Sequence, residues 1–293
     1  MEMDLKITFW GVRGSKPTPS RDTILFGGNT SCVQIETKKK NFIFDGGTGL
    51  AVLGKKMFDG GKADADIFFS HLHWDHIQGL PFFMPLYEEG NTFTLYGQDK
   101  KELSFEDAII NQMKAPYFPI TMEMMKADYE FIGINTDEEF VFQDGTKIST
   151  FEVNHPSGCL AFKIEKGASK VVYSTDTEPM EGQRRGEFLE FIKGADILIY
   201  DTHYTDEEYI GGLCGGKKGW GHSTWEEGTV ISKEGNIGNL ILFHHKDDRS
   251  DRQQQEIEVL AKQKFKNTIA AREGMVIIVG GDGLEKVVVD YPY

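Results

Sequence analysis

The segment that most constrains this chain is Ser70-His71-Leu72-His73-Trp74-Asp75-His76. It follows residues 66–70, a short apolar run that reads as a buried strand delivering side chains to a loop. His71, His73, Asp75 and His76 are all metal-ligand types: imidazole suits zinc, iron and manganese, and a carboxylate adds charge compensation. On a tight loop His71 and His73 can face one ion while Asp75 and His76 face another. A chance cluster of surface histidines is a poor alternative when the 293 residues hold only 8 histidines.

Around this segment the chain alternates between strand-like and helical stretches. Residues 6–10, 31–36 and 41–44 read as strands, the last two joined by a polar turn at 37–40. Asp45-Gly46-Gly47-Thr48-Gly49 breaks the pattern, and 50–57 looks helical. Residues 98–130 carry helical spacing around Pro116 and Pro119 and are expected to form an insertion covering the site. In the second half, 139–142, 147–154, 160–165, 170–174 and 197–200 read as strands, 252–268 as an amphipathic helix and 275–279 as a closing strand. No linker-like or repetitive tract interrupts 1–293, so the expectation is one α/β domain built as a two-sheet sandwich.

The HxHxDH segment resembles the signature of the metallo-β-lactamase superfamily, and other segments agree with it in order. Asn154-His155 ends a strand, Tyr173-Ser174-Thr175-Asp176-Thr177 resembles the segment of the bridging aspartate, and Leu242-Phe243-His244-His245 resembles the last histidine motif. The resemblance implies a four-layer αββα metallo-β-lactamase sandwich. It implies His71, His73 and His155 on one divalent ion, Asp75, His76 and His244 on a second, and Asp176 between them. His244 fits better than His245, because it directly follows the apolar strand. Zinc is the first expectation for both ions, with manganese or iron as alternatives.

Residues 9–15, 27–32, 45–49 and 76–81 are typical of the phosphodiesterase-like branch of that superfamily, which includes tRNase Z and cyclic-nucleotide phosphodiesterases. Within them Arg13 and Asn29 read either as substrate contacts or as buried structural residues, and Asp45 as a brace for the metal loop. Gly219-Trp220-Gly221-His222-Ser223-Thr224 resembles the tRNase Z segment whose histidine sits near the leaving group. His222 is therefore expected to be the general acid, against the plainer reading of a structural histidine opening a helix at 224–231. Asp75 and His222 are the expected catalytic residues, and Asp201 is expected to support the metals or His222. His203 stays outside the ligand set.

Charge and composition then narrow the substrate. A net charge of −14 and the absence of any basic run beyond Lys38-Lys39-Lys40 disfavour a long nucleic acid, while bound metal ions can still hold a small anionic phosphodiester. The segment 211–218 is short beside the basic arm by which tRNA-processing relatives grip tRNA. The main expectation is hydrolysis of a cyclic nucleotide or cyclic phosphate. The alternatives are tRNA 3′ processing or other RNA cleavage, thioester hydrolysis, and a non-catalytic metal sensor. Phe82, Phe83, Tyr87, Tyr117 and Phe118 read as base-stacking, core or dimer residues, and related phosphodiesterases make a homodimer the expectation by analogy. Cys32, Cys159 and Cys214 form no disulfide or zinc pattern. With no signal-like start and no apolar run near ~18 residues, the expected location is the cytoplasm, with no membrane partner.

Overall fold

The computed structural model describes residues 3–211, 215–281 and 283–289. Cys214 lies outside them, as does part of the 211–218 segment. In the first half, β1 (Met3–Gly11), β2 (Cys32–Glu36), β3 (Asn41–Phe44), β4 (Asp64–Phe68), β5 (Thr92–Gln98) and β6 (Asp128–Ile134) alternate with α1 (Thr48–Asp59), α2 (Trp74–Ile77) and α3 (Phe105–Gln112). The second half holds β7 (Glu139–Val141), β8 (Lys147–Val153), β9 (Cys159–Lys166), β10 (Ser169–Ser174), β11 (Ile197–Asp201), β12 (Asn239–Phe243) and β13 (Thr268–Ala270). Its helices are α4 (Gly182–Ile192), α5 (Asp206–Ile210), α6 (Trp225–Glu234) and α7 (Asp251–Lys264). The chain then returns to the first sheet as β14 (Met275–Gly280) and β15 (Gly283–Val289).

The strands form two sheets, in the orders β15-β14-β1-β2-β3-β4-β5-β6 and β13-β12-β11-β10-β9-β8-β7. Period-two alternation assigns each strand a face between the sheets and a face toward helices. Phe9, Phe44 and Phe68 point into the inter-sheet core, where they meet Phe162, Tyr173 and Phe243. Trp10, Ile43 and Ile67 point the other way, under Leu50 and Leu53 of α1 and Phe105 and Ile109 of α3. On the second sheet Leu198, Tyr200, Leu240 and Leu242 lie under Phe188 of α4, Ile231 of α6 and Ile257 of α7. The result is the four-layer αββα arrangement.

Several expectations change in detail. Residues 98–130 do not form a helical insertion over the site. They connect β5 to the parallel strand β6, and their helix α3 packs on the outer face of the first sheet. None of them lines the cavity at the metal cluster described below. The helix read at 252–268 ends at Lys264, and the chain re-enters the second sheet as β13. β14 does not close the first sheet, because β15 pairs beyond it. Phe83 is fully buried and belongs to the core, whereas Phe82 and Tyr117 are exposed.

Strand direction is what positions the site. β3 and β4 run parallel, as do β10, β11 and β12. β8 shares the direction of β10, since both are antiparallel to β9. The carboxyl ends of these strands meet along one rim of the sandwich, where open α/β sheets place their ligand sites. Among the described residues no helix is long and apolar enough to cross a membrane.

Candidate metal centre

Five of the side chains sit just past a strand end. Asp45 follows β3, His71 follows β4, His155 follows β8, Asp176 follows β10, and His244 directly follows β12. Asp45, Asp176 and His244 adopt positive φ angles of 63°, 49° and 57°. Non-glycine residues in that region are uncommon and cluster where the surrounding structure imposes a functional geometry. Asp75 and His76 lie on the single turn of α2, which holds them next to each other and against the strand ends.

Two groups of three converge. His71, His73 and His155 bring their ligand atoms within 4.8 Å of one another, and so do Asp75, His76 and His244. Asp176 stands between them: its Oδ1 is 3.9 Å from the Nε2 atoms of His71 and His155, and its Oδ2 is 3.1 Å from His76 Nε2 and 3.3 Å from His244 Nε2. All seven residues expected from the sequence thus meet at one place. His245 points away, with its Nε2 on the Ala271 carbonyl at 2.8 Å and its ring edge-on to Phe26.

Hydrogen bonds on the far side of each ring fix which nitrogen faces inward. His155 Nδ1 lies 2.8 Å from the Gly221 carbonyl, which only accepts, so Nδ1 carries the proton and Nε2 presents a lone pair to the cluster. Gly221 makes this contact possible: at φ 83°, a Cβ there would fall 2.2 Å from His155 Nδ1. His76 Nδ1 donates to Asp45 at 2.8 Å. The Ser70 hydroxyl donates to Asp45 and accepts from His71 Nδ1 at 3.0 Å. The inward Nε2 atoms of His71 and His76 are then buried without a hydrogen-bond partner. Lone pairs aimed at one another and at carboxylate oxygens repel unless positive charge lies between them. The donor set therefore fits divalent transition-metal cations, and Asp45 orients two of the rings as a partner behind metal-binding histidines does.

The charges agree with that reading. Burial opposes a proton on His76, but Asp176, Asp75 and Asp45 outweigh it and push its pKa well up. Burial alone would raise Asp75 and Asp176, yet the surrounding histidines hold both well below the ordinary carboxylate range. The site is a place where cationic charge is demanded.

His222 stands beside this cluster. Its Nδ1 lies 2.9 Å from Asp201 Oδ2 and 3.7 Å from Asp176 Oδ1. Burial disfavours its charged form, but Asp201, then Asp176 and Asp75, raise its pKa to about 9. His222 also lines a cavity of about 450 Å³ with Ser15, Leu72, His73, Trp74, Asp75 and Asp176. Asp201 touches His222 rather than the cluster's inward nitrogens. Arg13 and Asn29 have structural partners. Arg13 is fully buried and donates to the carbonyls of Gly27, Lys246 and Arg249, while Asn29 binds Glu273. Two features were missed by sequence reasoning. The Ser15 main-chain N–H donates to Asp75 Oδ2 at 2.7 Å, and the His203 ring lies against His222. Main-chain contacts leave no residue-type signal, whereas the His203 position directly after Asp201-Thr202 was a visible cue.

The sequence profile of the beta-lactamase superfamily domain matches residues 40–245, which run from β3 through the last histidine motif. The chain belongs to the beta-lactamase superfamily. Among curated relatives, a ribonuclease Z of Archaeoglobus fulgidus is 25% identical and aligns over 96% of this chain and 99% of its own. The metallo-beta-lactamase fold protein YhfI of Bacillus subtilis superposes with a TM-score of 0.68 at 20% identity, covering 94% of this chain and 99% of its own. Human tRNase Z, short form, superposes with a TM-score of 0.63 at 18% identity, covering 93% of this chain and 98% of its own. As a superfamily member with this donor set, the protein is a metal-dependent hydrolase.

Proposed function

We propose that this protein is a phosphodiesterase that holds two divalent metal ions and hydrolyses a small phosphodiester, such as a cyclic nucleotide or cyclic phosphate. The observation that carries the reading is the pairing of His222 with buried Asp201 at the wall of the cavity that also exposes the ligand cluster. His71, His73 and His155 would hold one ion, Asp75, His76 and His244 the other, with Asp176 shared. Zinc suits the set, and manganese or iron is also compatible with it. When bound, such ions stabilise negative charge on phosphoryl oxygens and lower the pKa of the attacking water.

The remaining chemistry belongs to the chain. As water oxygen bonds to phosphorus, the bond from phosphorus to the leaving oxygen breaks, and that oxygen needs a proton. His222 Nδ1 is committed to Asp201, so Nε2 is the nitrogen that donates. Asp201 in turn is held by the main-chain N–H groups of Thr177 at 3.2 Å and His203 at 3.0 Å, which aim its carboxylate. The net charge of −14 and the small cavity favour a small anion over a polyanion.

The similarity to ribonuclease Z favours a second reading, tRNA 3′ processing. The discriminating experiment compares wild type with H222A, loaded with Zn²⁺ or Mn²⁺, on bis(p-nitrophenyl) phosphate, a panel of 2′,3′- and 3′,5′-cyclic nucleotides, and a tRNA precursor. We expect turnover of cyclic nucleotides that falls by about 10²–10⁴ in H222A with both metals retained, as for loss of a general acid. Cleavage confined to the tRNA precursor would move the assignment to RNA processing. Absence of turnover on every phosphodiester despite bound metal would sink the reading.

A further inference from the structure

We propose that His203 is a positioning residue for His222, a flat imidazole that holds the acid's ring in the one orientation in which Nε2 can reach the leaving oxygen. The inference rests on His222 acting as the general acid.

The geometry is specific. The two rings lie 4.6 Å apart, centre to centre, at an interplanar angle of 22°, a stacked arrangement. His222 also lies against His244 at 5.0 Å and 23°, and His203 and His244 are themselves 5.5 Å apart, so the three rings form a compact triangle in which His222 packs on both of the others. A hydrogen bond through Nδ1 fixes one atom of His222 but leaves the ring able to tilt about that bond. Stacking against a rigid plane is what removes this freedom.

His203 is itself rigidly placed. It is 3% exposed, and its ring Nδ1 lies 3.2 Å from the main-chain carbonyl of His244, so Nδ1 carries the proton. Its main-chain carbonyl accepts from Arg249 Nη1 at 2.8 Å, and Arg249 is anchored on Glu208. Its main-chain N–H donates to Asp201 Oδ1 at 3.0 Å while Asp201 Oδ2 takes His222, so one residue steadies both the carboxylate and the ring of the pair. Nothing else in the arrangement requires an imidazole here. His203 offers no atom to the two triads around Asp176, and its ring does not line the 450 Å³ cavity. The ring nitrogens of His203, His222 and His244 do fall within 4.8 Å of one another, so the arrangement also raises an alternative in which His203 is a metal ligand.

The test separates positioning from metal binding by leaving-group chemistry. A p-nitrophenolate leaves without a proton, whereas an alkoxide does not, so a defect in the acid shows only on the second. Wild type, H222A, H203A and H203F, all metal-loaded, are compared on bis(p-nitrophenyl) phosphate and on a phosphodiester with an alkyl leaving group, with metal content measured by elemental analysis. We expect H203A to lose about 10–100-fold in kcat on the alkyl substrate, with KM within about threefold, little change on bis(p-nitrophenyl) phosphate, and unchanged metal content. H203F, which keeps a flat ring but not the Nδ1 bond, is expected to recover part of that loss. The histidine side-chain NMR signal of His222 Nδ1–H is expected to broaden in H203A and to stay sharp in H203F. Equal losses on both substrates, a lost metal equivalent, or unaltered kinetics in H203A would each overturn the proposal. If H222A itself shows no leaving-group dependence, the acid assignment fails instead, and the two failures are told apart.

Discussion

At the scale of single residues, the centre depends on positions where even one added atom has no room. Gly14, between β1 and the metal loop, would place a Cβ 2.5 Å from Cε1 and 2.6 Å from Nδ1 of His244, and 2.9 Å from His203 Nδ1. Both rings are buried and fixed by other contacts, so they cannot move aside without leaving their partners. Gly14→Ala is therefore expected to weaken the metal site containing Asp75, His76 and His244 by about 10–100-fold while the other site is kept, the scale seen when the support of a ligand is disturbed. Competition with a chelator, followed by metal analysis, checks it. Two ions held as tightly as in wild type would remove His244 from the ligand set. The seven residues that converge were legible in the sequence because HxHxDH packs four of them into one loop and the other three end apolar runs. Asp201 was legible only as a strand end, since its pairing with His222 depends on how β11 and the segment before α6 fold together.

At the scale of elements, the strands with inward phenylalanines were readable from their apolar residues, and two of those that were missed, β6 and β13, lie at sheet edges. β6 reads Asp-Tyr-Glu-Phe-Ile-Gly-Ile and lies at an edge, half solvated, so its pattern carries little apolar signal. β13 is three residues long and is defined by pairing with β12 rather than by its own sequence. The contact between the two sheets at their far end rests on a polar clamp. Asp144, in the turn after β7, accepts from Thr37 Oγ1 at 2.8 Å in the β2–β3 turn, from the Thr146 main chain at 3.0 Å, and from the Thr146 hydroxyl at 2.9 Å, with Lys166 at 3.3 Å. Burial raises its pKa, but these donors outweigh it and hold it at about 2, below the ordinary 3.8. A carboxylate depressed in the folded state stabilises above its unfolded pKa, and the stabilisation is lost as pH falls through the folded value. D144N is expected to cost about 1–2 kcal/mol at pH 7, with the gap to wild type closing between pH about 4 and about 2. Urea denaturation at a series of pH values measures it. A gap unchanged at pH 2 would mean that the side-chain charge is not what holds the clamp.

At the scale of the whole molecule, net charge suits the cations that the site calls for and opposes the anion proposed as its substrate. The chain carries −14, and its rim concentrates lone pairs and carboxylates. Long-range repulsion and local attraction respond differently to salt, and that difference identifies the substrate class. A small phosphodiester held mainly at the metal cluster meets only a weak outer field, screened beyond ~8 Å at physiological ionic strength. Its kcat/KM is expected to stay within about threefold between 50 and 200 mM KCl, and any drift should be upward as like-charge repulsion is screened. An RNA gripped along its backbone releases counterions on binding, and its affinity falls by about 10³–10⁵ over the same range when six to ten phosphates are contacted. Measuring kcat/KM for a cyclic nucleotide and for a tRNA precursor across that series at fixed Zn²⁺ gives each substrate its slope. A flat slope for the cyclic nucleotide beside weak, steeply salt-sensitive action on RNA fits an acidic chain built around a small anion. Efficient RNA cleavage with a steep slope would assign the protein to RNA processing.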